Sequence, residues 1–213
     1  MRLGYVYSVN MSENDNSVNI KKKPKRYHHG DLRAALIKGG LELLKDRAAD
    51  DLSLREVARH VGVSATAVYR HFPDKQALLY ALCGEGAEEL GKVQMAAMED
   101  AGGGKAGFEA SGRAYVYFAL ENPGLYRLMM STRPPAELYE KDGTAVSGAM
   151  QLLHQNVSGI LGMEADSLSH KVAKLHSWAL VHGISMLILD GLVEPEGEVI
   201  DALLNIPTKD HAY

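Results

Sequence analysis

The sequence predicts an all-α protein, a small three-helix head followed by a larger helical body. Three observations lead there. Apolar residues recur at three- and four-residue spacing through much of the 213-residue chain, and no segment alternates with period two, so no sheet of consequence is expected. Breakers at Gly62, Pro73, the Ala-Gly-Gly-Gly run at 101–104, Asn122–Pro123 and Pro134–Pro135 cut the chain into helix-length pieces. Charge is also divided unevenly. Residues 21–75 hold thirteen Lys or Arg against seven Asp or Glu, a balance of +6, whereas residues 76–213 hold nine against eighteen, or −9. The net charge of −4 conceals this basic head on an acidic body, the pattern of a domain that meets a polyanion.

Residues 1–20 are rich in Asn and Ser and read as an extension without a core of its own; Met11 could equally begin the protein. Lys21-Lys22-Lys23-Pro24-Lys25-Arg26 follows, with proline keeping it extended, and residues 1–25 together form a flexible basic N-terminal extension. Such an arm suits phosphates or a minor groove, or is simply a solvated charge run. Asp31 to about Arg47 carries Leu32, Leu36, Leu43 and Leu44 with Ala35 and Gly39 between them. This spacing predicts an amphipathic first helix capped by Asp31.

The segment from Ser53 to Lys75 is the most informative in the chain. Ser53 followed by Glu56 is a capping box, so a helix should begin at Leu54. Val57, Ala58 and Val61 form its apolar face, and Ala58 is small enough for a close crossing. Gly62 ends it in the left-handed conformation, and Ser64 caps a second helix. Val68 and Phe72 should point inward, which turns Thr66, Tyr69 and Arg70 outward. Two helices joined by a turn of about four residues describe a helix-turn-helix (53–72), the arrangement that lays a second helix in the major groove of duplex DNA. A plain helical hairpin is the alternative. Pro73 and Asp74 stop the second helix and cap the next, leaving Lys75 at a helix N-terminus where phosphates bind. The candidate DNA contacts are Lys25 and Arg26 from the arm, Ser53 and Arg55 near the backbone, Ser64, Ala65, Thr66 and Tyr69 on or near the reading face, and Arg70, His71 and Lys75 for phosphates.

The wording of this region, YHHGDLRAAL, LSLREVARHVGVS and AVYRHFPDKQALL, resembles the N-terminal domain of TetR-family transcriptional regulators from about Arg26 to Leu82. The resemblance implies a DNA-binding head (26–82), an effector-binding and dimerisation body (83–213) and a homodimer. Further on, ALENPGLYRLM and WALVHGISMLILDG are similar to a subgroup with a Trp-x-x-x-His-Gly signature in the C-terminal domain. A small, mostly apolar effector that changes the spacing of two heads is what the resemblance implies for the body.

Beyond the motif, Lys75 to about Asp100 reads as a long helix linking head to body, and Phe108 to Glu121 as another. A short segment follows Pro123, and Thr144 to Leu161 carries Val146, Met150, Leu153, Val157 and Ile160 at helical spacing. The last long helix is expected from Ser167 to Leu189. From Trp178 onward only His182 and Ser185 interrupt its apolar run, so it must be covered on both sides, and twelve residues are too few to cross a bilayer. A second subunit on one face meets that demand, with Gly183 permitting close approach; burial wholly within one chain is the alternative. The expected interface is a four-helix arrangement of the segments near 144–162 and 167–190.

A hydrophobic fraction of 46% and one cysteine, Cys83, fit a globular protein of a reducing compartment, expected in the cytoplasm with no membrane partner. Cys83 reads as a small core residue. His170, His176 and His182 recur every six residues, so successive rings diverge by about 120° and cannot converge on one metal ion. No metal or cofactor is expected, and no nucleophile elbow or phosphate loop suggests an enzyme. Tyr115, Phe118, Tyr126, Met129 and Met150, with Trp178 and His182, suit an apolar effector pocket and suit an ordinary core equally well. The expected function is a ligand-responsive repressor bound to a palindromic operator. A ligand-independent DNA-associated structural or protein-interaction module is the second reading, and an enzyme a remote third.

Overall fold

The computed structural model describes residues 32–132, 148–162, 164–165 and 167–204, and among these the secondary structure is entirely helical. The helices are α1 (Leu32–Leu44), α2 (Leu54–Val61), α3 (Ala65–Tyr69), α4 (Lys75–Asp100), α5 (Gly104–Glu121), α6 (Pro123–Ser131), α7 (Gly148–Leu161), α8 (Leu168–Leu189) and α9 (Gly197–Leu204). Asp31, Pro134–Pro135 and Val146 lie outside the described residues, as do Lys25 and Arg26 and the side chains of Met150 and Ile160.

The starts of α2, α3 and α4 have their expected caps. Ser53 accepts from the Glu56 N–H, Ser64 from Ala67 and Asp74 from Ala77. Gly62 takes φ +79°, a value glycine adopts without strain. First-helix residues 45–47 fall beyond α1, and a short 3-10 turn at Ala49–Asp51 that the sequence pattern does not announce leads into α2. The regular part of α3 is only five residues long, yet the Phe72 N–H still bonds to the Val68 carbonyl (3.0 Å), so the inward pair stays in register.

The buried stripe of α4 runs Leu78, Leu82, Gly86, Leu90 and Gln94, one residue per turn. It packs on α1, α5, α6 and α7, and Cys83 and Gly86 in its first half already lie against α6. One apolar cluster therefore runs unbroken from Leu36, Val57, Val68 and Phe72 to Tyr115, Phe118, Leu125 and Tyr126. Cys83 lies in it, 3% exposed, and burial pushes its thiol up to about 11, which makes it the inert core residue expected.

Helix α6 begins against the C-terminal end of α1, where a Cβ on Gly124 would collide with the Leu44 and Arg47 carbonyl oxygens. The electronegative end of one helix thus meets the electropositive start of another. This contact is absent from the sequence pattern, as is α9. That helix buries Ile200 and packs its Leu203 and Leu204 on the cluster around Val116 and Ile184.

Helix α8 has the expected span, Leu168–Leu189. At 22 residues it is long and apolar enough to cross a bilayer by those criteria alone, which its twelve-residue apolar run is not. Yet it carries Lys171 and Lys174, and it buries His170, Ile184 and Ser185 while packing on α5 and α7, which places it in the helical body. Gly183 has no atom within 4 Å of an added Cβ, so it permits no close approach inside the chain.

Gly124→Ala should force α6 off α1 and cost about 1–3 kcal/mol, as overpacking of a tight contact does. Thermal and denaturant unfolding of the variant would measure this.

Candidate nucleic-acid interface

The surface of α2 and α3 is set by what lies beneath it. Val57, Val68 and Phe72 are fully buried or nearly so, and they fix the rotation of both helices. Thr66, Arg70 and His71 are consequently exposed, as is Arg55, and Tyr69 is 49% exposed despite its ring. An aromatic side chain held in water at the end of a short capped helix contributes nothing to the core and is free to meet a partner. Ser64 is exposed, while Ala65 is half-buried.

Ser53, Arg55, Tyr69 and Lys75 come together with Leu54, Pro73 and Asp74 around a surface groove of about 390 Å³. Ser64, Thr66, Arg70 and His71 do not line it. The expected residues therefore form two neighbouring sets, one around the groove and one along the outer side of α3.

Two details differ from the sequence reading. The Glu56 carboxylate accepts from the Ser53 hydroxyl (3.1 Å) and from Arg47 (2.8 Å), so it serves the capping side chain and a guanidinium in place of the backbone donor of a full capping box. The Ser53 hydrogen bond, with Arg47 beside it, holds the Glu56 carboxyl below the ordinary carboxylate range. Likewise Glu42 is lowered by its hydrogen bond to His60 (2.8 Å), which ties α1 to α2. The second difference is Lys75, whose Nζ donates to the Asp50 carbonyl at 2.6 Å. That bond uses one of three ammonium donors and straps the turn before α2 to the start of α4.

Arg33 escaped the sequence reading. Its guanidinium lies 5.4 Å from the centre of the Phe72 ring, so it adds a fixed cation where the reading helix ends. No periodicity relates the two positions.

In the body, the expected residues do converge. The Tyr115 and Tyr126 hydroxyls are 3.1 Å apart, and Tyr126 is 2.8 Å from His182 Nδ1. Burial pushes both phenols above the ordinary tyrosine range, so both are protonated at neutral pH. Phe118 and Met129 join the same cluster, Met129 partly buried. Trp178 stacks obliquely near His182 with centroids 6.4 Å apart but is 38% exposed at the edge. His182 thus has the single hydrogen bond of a packed histidine on one nitrogen, with Trp178 and Met186 one turn to either side. His170 is fully buried and His176 exposed, consistent with their divergence, and no group of three metal-ligating side chains occurs among the described residues.

A capped two-helix reader with a polar, solvent-facing second helix, joined through a long helix to an all-helical body, defines a helix-turn-helix regulator. Residues 36–82 match the model of bacterial regulatory proteins of the tetR family, and residues 108–206 match a tetracyclin repressor-like C-terminal domain. A protein of unknown function from Rhodococcus sp. RHA1 is 33% identical, with 84% of this chain and 93% of that one aligned at a TM-score of 0.67. Two more distant structures share the fold. A TetR family transcription regulator from Marinobacter aquaeolei VT8 is 19% identical over 81% of this chain and 91% of its own, with a TM-score of 0.61. A single-substitution variant of TetR from Acinetobacter baumannii AYE, in complex with minocycline, is 20% identical over 81% and 89%, with a TM-score of 0.53. The chain belongs to the TetR family. It is therefore a DNA-binding transcriptional regulator and not an enzyme.

Because the folded Glu56 pKa is depressed, its contribution is present above the ordinary carboxylate range and is lost as pH falls through the folded value. Glu56→Gln should therefore lower the thermal midpoint at neutral pH, and the gap from wild type should close as the solution is acidified. Melting curves recorded across that range test the sign.

Proposed function

We propose that this regulator is a homodimeric, ligand-responsive repressor that binds a palindromic operator from the cytoplasm. The observation that carries the dimer is a stripe on α8 reading Leu168, Val172, Leu175, Ala179, Gly183 and Leu187. Leu168, Val172, Leu175 and Leu187 are 79%, 57%, 61% and 45% exposed. Six apolar or small residues on one helical face, with open space above Gly183, form a surface that a second copy of the same helix would cover. Helix α7 packs beside α8 and would complete the four-helix contact.

Within this reading the head is 26–82, the body 83–213, and residues 1–25 are the basic arm that brings Lys25 and Arg26 to the DNA. Thr66 and Tyr69 meet base edges, with Ser64 and Ala65 at the start of the reading helix. Arg70, His71, Ser53, Arg55 and Lys75 meet the backbone.

The effector site comprises Tyr115, Phe118, Tyr126, Met129, Met150, Trp178 and His182. A relative bound to minocycline supports a small-molecule site in such a body. Within the chain the physical support is the position of Tyr126, two residues after Gly124. A ligand that displaces the Tyr126 hydroxyl from His182 moves α6, whose start abuts Leu44 and Arg47. Arg47 in turn holds Glu56 at the start of α2. The two ends are thus joined by contacts that both sites can bias. Trp178, His182 and Gly183 form the Trp-x-x-x-His-Gly signature of the subgroup. Here His182 anchors Tyr126 and Gly183 lies on the stripe offered to the partner.

Selecting bound sites from random DNA, then screening small molecules for release, tests the function directly. A non-palindromic selected site, or no releasing compound, would count against it. Thr66→Ala should weaken specific binding by about 1 kcal/mol or more, whereas Lys75→Ala should lower affinity for all sequences and flatten the salt slope. Leu175→Glu should leave the chain folded but monomeric in sedimentation, with operator affinity reduced by about a hundredfold or more.

A further inference from the structure

The core-facing stripe of α4 is apolar or glycine for four turns and then ends in Gln94. Gln94 is 9% exposed, and its Nε2 donates to the Ser111 carbonyl at 3.2 Å. A carbonyl oxygen only accepts, so this bond fixes which end of the amide is nitrogen. Oε1 is left buried with no donor among the described residues. The Ser111 hydroxyl does not serve it, being committed to the Phe108 carbonyl at 2.7 Å. Packing alone asks for a leucine at this position. The amide adds a desolvated acceptor that no described residue satisfies and that an incoming donor would.

The surroundings narrow the donor's chemistry. One turn along α5 from Ser111 stands Tyr115, the start of the hydroxyl chain through Tyr126 to His182. Among the described residues the buried polar side chains are Gln94, Ser111, His170 and Ser185, none of them an acid, Lys or Arg. Arg113 and Glu109 on α5 pair instead with Asp201 and Lys105 at the surface. An ionised guest would lose its hydration and find no counter-charge. Helix α7, which packs on both α4 and α5, buries Leu152 and Val157 and also the polar atoms Asn156 Nδ2 and Ser158 Oγ, which have no partner among the described residues.

We propose that Gln94 Oε1 accepts a hydrogen bond from a hydroxyl or amide N–H of an uncharged, mainly apolar effector seated beside Tyr115, between α4, α5 and α7. This rests on the ligand-responsive reading and names the class of molecule that reading requires. Carboxylates and pure hydrocarbons are the excluded classes.

The test uses the full-length protein and matched probes from hexanol to dodecanol, each with its isomeric methyl ether, which lacks the donor, and the carboxylate of equal length. Binding is followed by thermal shift and calorimetry, and operator release by band shift. The alcohol should bind wild type about tenfold more tightly than its ether isomer, and Gln94→Leu should reduce that preference to less than about twofold while leaving ether binding unchanged. Gln94→Met, which keeps the length without an amide, is the second variant should the leucine misfold. Equal binding of alcohol and ether, tighter binding of the carboxylate, or a preference that survives both variants overturns the proposal. So does a crystal structure with only an ordered water on Oε1 together with no binding by any alcohol. Alcohol binding without operator release would sink the ligand-responsive reading and leave the subsite standing; release by an effector indifferent to Gln94 would do the reverse.

Discussion

Burial of one face of α4 is the constraint on which the rest of the molecule depends. Leu78 and Leu82 close the core of the head against α1, and Gly86 and Leu90, four and eight residues later, lie under α6 and α5. No break in helix or in apolar cluster separates the two ends. The head consequently cannot rotate on the body as a bead on a flexible linker would. Its orientation is a property of side-chain packing, and packed cores have discrete arrangements.

A second consequence concerns where polar groups are tolerated. Among the described residues the interior holds few of them: Gln94 bonds to Ser111, and one turn further along α5 a hydroxyl chain runs from Tyr115 through Tyr126 to His182, with His170 and Ser185 outside those bonds. Protonated phenols can reverse the direction of their hydrogen bonds at little cost. Such a chain accepts either a donor or an acceptor at its ends, a property that would suit the proposed effector site.

The head was legible in the sequence because its signals are local. A capping serine, a turn glycine and an aspartate before Lys75 each act within four residues, and all three do what their chemistry requires. The convergence of Tyr115, Tyr126 and His182 was partly legible, since each sits on an apolar face at helical spacing. What escaped depends on distant partners. The Lys75 strap to Asp50 spans 25 residues, and Arg33 reaches Phe72 across the head. Gly124 carries no local pattern that distinguishes it from any glycine after a proline, and its meaning appears only when α1 is placed beside it. Helix α9 was missed for a different reason. Its Val199, Ile200, Leu203 and Leu204 have helical spacing, but the run is eight residues long and follows a loop of acidic and breaking residues.

The length of α4 also has a mechanical meaning. At 1.5 Å per residue its 26 residues form a rod of about 39 Å, anchored near its middle where Gly86 meets Leu125 and Met129. About that fulcrum, a tilt of only about 5° swings either tip by roughly 2 Å, since each arm is about 20 Å long. In a symmetric pair the two displacements would add, and their sum, roughly 4 Å, is at least the rise of about 3.4 Å between neighbouring base pairs. A small guest at one end of the lever would suffice to spoil the fit at the other.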